Sequence, residues 1–165
     1  MTLDELNACS QPRFVDTLGW IFEASPWVAE RAWTGRPFSS VHDLHHAMTA
    51  AVGGASDDER LALLRSHPDL GTRARMSDAS VGEQHGAGLD RLTPEEFERL
   101  QRLNTAYREK FGFPFLLAVK GSTTHDVLAA LERRLAEDPE REFAEATQQV
   151  SRIAMFRLRE LFGDG

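Results

Sequence analysis

Helix start signals recur along this chain, and no other periodic pattern competes with them. Thr2-Leu3-Asp4-Glu5 has the spacing of a capping box, in which a hydroxyl and a carboxylate satisfy each other's backbone donors. Ser56-Asp57-Asp58-Glu59 repeats the device and predicts a helix through Leu64. Ser25-Pro26, Thr93-Pro94 and Asp138-Pro139 each set a capping side chain before a proline, whose fixed φ suits the first helical position. Gly53-Gly54 ends a helix that starts near Ser40, and Gly112 stands where the helix from Pro94 needs a stop. No period-two alternation bounded by turn residues appears. The best strand candidate, Phe113 to Val119, is isolated and contains Pro114, which predicts an extended segment rather than a sheet. The expected fold is therefore all-α, a single-domain bundle of about seven or eight helices over residues 1–165.

A chain of 165 residues is in the single-domain range. A domain of this size buries roughly 70% of the surface that its unfolded chain exposes, enough for one core and a small pocket. The formal charge of −7 sets the protein's field against nucleic acid and anionic membrane, so neither is expected as a partner. An anionic ligand would need a local cation to offset that field. The one cysteine, Cys9, excludes an internal disulfide and suits a reducing cytosol. The amino terminus lacks the basic and apolar regions of a secretory signal, and no apolar run approaches the ~20 residues of a membrane span. The closing Leu161-Phe162-Gly163-Asp164-Gly165 is not a peroxisomal address. A cytoplasmic protein is the expectation.

Two helices carry polar residues at core spacing. Phe143, Thr147, Val150, Ala154, Arg157 and Leu161 follow one face of the final helix, with Arg141, Arg152 and Arg159 opposite. An inward Arg157 is either a structural ion pair or a guanidinium that grips a carboxylate or carbonyl-rich ligand. In the Pro94 helix Phe97, Leu100, Asn104, Tyr107 and Phe111 share a face. Asn104 and Tyr107 are expected there as satisfied core polar groups.

Two short motifs could carry chemistry. Proline disfavours helix for the residue before it, so His67-Pro68 predicts that His67 ends the Ser56 helix, where the helix dipole favours its protonated form. Such a pair is either a plain helix stop or a placed acid/base. Ser80-Val81-Gly82-Glu83-Gln84 has capping-box spacing and predicts a helix through Ala87. It could equally be a polar cluster at a helix N-terminus, offering anion donors and a carboxylate to orient a histidine. His42, His45 and His46 share a helix, but no carboxylate or cysteine completes a zinc set, so surface histidines are expected. Gly86-Ala87-Gly88 follows no strand and is not a dinucleotide fingerprint, and no Walker motif or nucleophile elbow appears.

Taken together, several spaced segments resemble one family. They are His67-Pro68-Asp69-Leu70-Gly71; Ser80 and Glu83-Gln84 with Ala87-Gly88-Leu89; and Leu103-Asn104, Tyr107 and Lys110 through Phe115. Ser25 to Glu30, Arg36-Pro37-Phe38, and Arg152-Ile153-Ala154 with Arg157-Leu158 also fit. The pattern is similar to OHCU decarboxylase, which converts 2-oxo-4-hydroxy-4-carboxy-5-ureidoimidazoline to (S)-allantoin and carbon dioxide in urate degradation. That resemblance implies an all-helical homodimer acting on a small-molecule substrate with no metal and no organic cofactor. It implies that His67 is the catalytic acid/base and Glu83 its partner. It further implies that Pro68, Ser80, Val81, Gly82, Glu83 and Gln84 line the substrate site, together with Phe115, Leu116, Leu117, Ala118 and Val119. Arg157 matches the family's ligand-binding arginine. Two rival expectations stand beside it: a related enzyme acting on another ureido or imidazoline acid, and a non-catalytic helical module that binds a purine-derived ligand.

Overall fold

The computed structural model describes residues 1–71 and 77–163. Among these residues it holds nine α-helices and one short 3-10 turn, Trp33–Gly35, and no strand. The helices are α1 (Leu3–Ala8), α2 (Gln11–Leu18), α3 (Trp27–Ala32), α4 (Val41–Gly53), α5 (Asp57–Arg65), α6 (Asp78–Gly86), α7 (Pro94–Phe111), α8 (Thr124–Leu135) and α9 (Pro139–Phe162). The all-α class holds, with slightly more helices than the start signals suggested. None of the described helices is long and apolar enough to cross a membrane.

Most starts are where the capping chemistry puts them. The boxes at Thr2, Ser56 and Thr93 are complete, each hydroxyl meeting the N3 backbone and each N3 glutamate reaching back. Asp138 accepts the N–H groups of Glu140 and Arg141 at 3.0 and 3.1 Å and opens α9. Gly112 closes α7 at φ 80°, a left-handed conformation that only glycine adopts without strain.

Two starts differ from expectation. Ser25 does not cap α3; its hydroxyl donates to the Glu23 carbonyl at 2.8 Å, and the cap position falls to Pro26 with no side-chain bond. The chain has turned at Ala24 (φ 47°), which aims the hydroxyl back along the chain. In α6 the cap is Ser77, whose hydroxyl accepts the Ser80 N–H at 3.2 Å. Ser80 and Glu83 are thus not a capping box but sit inside the helix. Ser80 is buried there with Gln84, one helical turn on, so packing of that face decided the register.

Spatial proximity divides the chain into two compact units. The first comprises residues 1–66 and 151–165 and the second residues 67–150, so α9 contributes to both. In the first unit α3 packs on α2 and α4. Phe14, Leu18, Phe22, Val28, Leu44 and Met48 fill its core, with the Phe14 ring edge-on to Trp33 at 5.3 Å. The Asn7 amide pairs with both backbone groups of Phe38 at 2.8 Å, and Arg36 donates to the Asn7 carbonyl at 2.8 Å. The intervening Arg36–Pro37 bond is cis.

In the second unit α7 packs on α8. Leu100, Phe113, Phe115, Val127, Leu131 and Ala146 are buried around Tyr107. The inward face of α9 here is Glu142, Ala146, Gln149 and Val150, while Phe143 and Thr147 are half-buried. The first two anchors thus differ from those expected, Glu142 and Ala146 standing in place of Phe143 and Thr147 because Glu142 enters a buried ion pair, while Val150, Ala154 and Arg157 are buried as expected. Arg141, Arg152 and Arg159 are exposed as expected.

Candidate active site

The His67 loop is built from both ends. Upstream, α5 ends at Arg65 and Ser66 caps it, donating its hydroxyl to the carbonyls of Leu63 and Glu23 at 2.6 and 2.8 Å. His67 then leaves the helix before Pro68, where the proline rule places it. It is buried, 6% exposed, and its Nε2 is closed off from solvent. Downstream, three side chains grip the loop. Arg108 pairs with Asp69 at 3.0 Å, Asn104 Nδ2 donates to the Leu70 carbonyl at 2.9 Å, and the Gly71 N–H donates to Gln84 Oε1 at 2.9 Å. Gly71 has φ 72°, which favours glycine, and a Cβ there would lie 2.5 Å from Leu100 Cδ2, so that side chain would have to move to admit one.

That last hydrogen bond brings the two sequence motifs together. Gln84 belongs to α6, so the loop that begins at His67 is moored to the helix that carries Ser80 and Glu83. Ser80 and Gln84 are buried, and Glu83 beside them is half-buried. Val81 and Gly82 lie on the outer side of α6, with Val81 51% exposed. Pro68 is half-buried.

The segment from Phe113 to Val119 is free of regular structure, as expected, and all of it but Leu117 is buried. Its rings are packed first: Phe113 and Phe115 stand edge-on to Tyr107 at 5.9 and 5.4 Å. Its backbone is then tied to side chains. Arg134 donates to the Leu116 carbonyl and the Ala118 N–H donates to Gln149 Oε1 at 3.0 Å, while a main-chain bond from the Ser122 N–H to the Val119 carbonyl at 2.9 Å closes the segment.

Tyr107 behaves as the satisfied core polar group foreseen; Asn104 is buried as foreseen but satisfied through Nδ2 alone, its Oδ1 having no hydrogen-bond partner among the described residues. Asn104 serves the His67 loop, while the Tyr107 hydroxyl donates to Glu142. Burial, and then the Glu142 carboxylate as hydrogen-bond partner and charge, push the Tyr107 phenol far above the usual range.

Arg157 lies in the first unit and is 2% exposed. Its guanidinium pairs with Glu23 at 2.9 Å and donates to the carbonyls of Trp20 and Ile21 at 3.1 and 3.3 Å. The helical period found Arg157, but nothing in the sequence marked Glu23, which lies in a turn without periodicity. Arg134 and Glu142 are buried as well. Arg134 follows Val127 and Leu131 at helical spacing, and that signal could have exposed it.

Of the three clustered histidines, His42 and His46 are exposed, but His45 is half-buried. Its Nε2 lies 2.8 Å from the Ser151 carbonyl, and burial holds its pKa below the ordinary histidine value. Among the described residues no cluster of three or more histidine, cysteine or acidic side chains is placed to hold a metal ion.

The family model for OHCU decarboxylase matches residues 7–159. The chain belongs to that family. A 2-oxo-4-hydroxy-4-carboxy-5-ureidoimidazoline decarboxylase of Haloferax volcanii is 50% identical over 162 residues, which cover 98% of this chain and 96% of that protein. The uric acid degradation bifunctional protein of Bacillus subtilis is 48% identical over 160 residues, 97% of this chain but 32% of the relative. The crystal structure of an (S)-allantoin synthase superposes with a TM-score of 0.81 at 37% identity, covering 98% of this chain and 54% of that one. The His67 loop and α6, two of the segments in which the sequence resembles that family, are hydrogen-bonded to each other in this chain.

Proposed function

We propose that this protein decarboxylates 2-oxo-4-hydroxy-4-carboxy-5-ureidoimidazoline to (S)-allantoin, acting in urate degradation without a metal or organic cofactor. Family membership and the high identity to enzymes bearing that name support the reaction. The observation that carries the assignment of the site is the Gln84–Gly71 hydrogen bond, which couples the His67 loop to the helix of Ser80 and Glu83.

The substrate can be its own electron sink. Breaking the bond between the carboxylate and its ring carbon leaves an electron pair that forms a C=C bond to the ureido-bearing carbon, while the adjacent C=N π pair moves onto the ring nitrogen, which takes up a proton, giving a neutral ring enol and carbon dioxide. The enol hydroxyl then gives up its proton to become the ring carbonyl. The carbon bearing the ureido group gains a proton, and the face that receives it sets the product's handedness. The protein's tasks are to orient the carboxylate, stabilise the developing charge and deliver that proton from one side. Histidine suits the transfer near neutral pH.

In this reading His67 is the acid/base, and its burial keeps bulk water from competing as a proton source. Glu83 orients its ring or receives substrate N–H groups. Gln84 serves the substrate's polar rim while its carbonyl holds the loop. Pro68 and Ser80 line the site, Val81 and Gly82 stand at its solvent-exposed edge on the outer side of α6, and the non-helical Phe115–Val119 backbone supplies donors and acceptors for the ring and ureido groups. For Arg157 the reading keeps the ligand-binding role that the resemblance implies, exerted by a guanidinium already oriented by Glu23. A homodimer and a cytoplasmic setting complete the proposal, the latter in keeping with a single cysteine.

The test is to generate the unstable intermediate from urate in situ and follow its decay and the circular dichroism of allantoin. The expected result is faster decay with a product of one hand. Decay at the spontaneous rate to a racemic product would refute the reading.

A further inference from the structure

Four polar side chains with no assigned part in the reaction lie buried beneath the Phe113–Val119 segment. Arg134 of α8 is 2% exposed and Glu142 of α9 is 1% exposed. Arg134 Nε donates to Glu142 Oε1 at 2.6 Å, another guanidinium nitrogen donates to the Leu116 carbonyl, and the guanidinium lies 4.5 Å from the centre of the Phe115 ring. Tyr107 donates its hydroxyl to the same carboxylate. Gln149, about two turns further along the same face of α9, accepts the Ala118 N–H at 3.0 Å and donates to Glu145 at 2.9 Å. A buried ion pair is seldom more stabilising than apolar residues of the same volume, so stability alone is a weak account of this group. Its fixed geometry is the better one. Three helices, α7, α8 and α9, converge through it on two backbone groups of one unpaired segment.

Those two groups belong to residues two apart. In extended backbone the carbonyl of one residue and the N–H of the second residue on point to the same edge, and the residue between them presents its own pair to the other edge. The intervening residue is Leu117, the one member of Phe113–Val119 that is not fully buried. We propose that Arg134 and Gln149 are positioning residues for the reaction: they hold the Leu116 carbonyl and Ala118 N–H so that the N–H and C=O of Leu117 face the substrate as a paired donor and acceptor. Such a pair matches a cyclic amide or a ureido group, each of which offers N–H and C=O side by side. Glu142 and Tyr107 act one step further out by fixing the Arg134 fork. The inference rests on the substrate site proposed above.

The experiment uses the full chain with the intermediate generated from urate. Gln149→Met keeps the side chain's bulk and removes the acceptor for Ala118, and Arg134→Lys keeps the charge while losing the planar fork. Each should raise KM by about tenfold with kcat little changed, as expected when uniform binding is lost. The paired exchange Gln149→Glu with Glu145→Gln restores an oxygen acceptor and should bring KM back. Amide hydrogen exchange on the unaltered protein is independent of whether the variants fold. The Ala118 amide should be protected without ligand, and the Leu117 amide should become protected only with (S)-allantoin. An active wild type whose Leu117 amide ignores saturating (S)-allantoin overturns this inference alone, as do folded variants with wild-type KM. A wild type that neither turns over the intermediate nor protects its amides overturns the proposed function as well.

Discussion

The side-chain carbonyl of Gln84 accepts the main-chain N–H of Gly71 at 2.9 Å, tying α6 to the loop that starts at His67. The same loop is held from α7 by Asn104 and Arg108. In the proposed reaction His67 delivers a proton to one face of the ring, and these three anchors, all within five residues of the imidazole, would fix where that proton starts.

Replacing His67 by Asn removes the ionisable group while keeping a polar side chain. The expected loss is about 10²- to 10⁴-fold in the enzymatic rate, together with loss of handedness in the allantoin formed. Far-ultraviolet circular dichroism should be unchanged. A variant that still makes one enantiomer at the wild-type rate would remove His67 from the mechanism.

Gly71→Ala should destabilise the fold by about 1–3 kcal/mol, since φ 72° is unfavourable for alanine and its Cβ would press on Leu100. The measure is the urea midpoint at constant slope. If the midpoint holds while activity falls, the loop has adjusted at the expense of His67 alone.

Arg157→Met should cost about 3–5 kcal/mol, because it removes the arginine that pairs with the buried Glu23 carboxylate. Adding Glu23→Leu should recover much of that loss, since the buried carboxylate is then gone with its partner. Additive losses in the two variants, read from denaturant unfolding, would show that the pair is not coupled.

His45 gives the first unit a predictable acid response. Its folded-state pKa is lowered, first by burial, against which the Ser151 carbonyl works, and then by the charges of His42, Arg159 and His46. The unfolded chain therefore binds a proton at higher pH than the folded one does. Stability from this group is fully present above about pH 6.5 and declines as pH falls through that value toward the folded pKa, below which the loss is constant. His45→Leu should flatten thermal stability between about pH 7 and pH 5 relative to wild type. An unchanged slope would place the pH dependence elsewhere.

Helix starts were legible wherever capping was local. The boxes at Thr2, Ser56 and Thr93 and the Gly112 stop need only neighbours within one turn, and all four stand. Ser25 and Ser80 misled because an identical local pattern was overruled by a distant demand. A turn at Ala24 claimed the Ser25 hydroxyl for Glu23, and burial of the Ser80–Gln84 face moved the start of α6 back to Ser77. Arg157 was legible as an inward arginine from helical period, but its partner Glu23 was not, since a turn residue has no period to betray it.

By itself, then, the sequence determined an all-helical chain, the break at His67-Pro68, and the inward placement of Asn104, Tyr107 and Arg157, because each follows from backbone sterics or from a 3.6-residue repeat. Only the tertiary structure decided what those groups meet. Gln84 found the backbone of Gly71, Arg134 found Leu116, and Glu142 displaced Phe143 from the face of α9. The physical reason is that a buried polar atom takes whichever partner the packed elements bring within hydrogen-bond distance, and that partner can lie dozens of residues away.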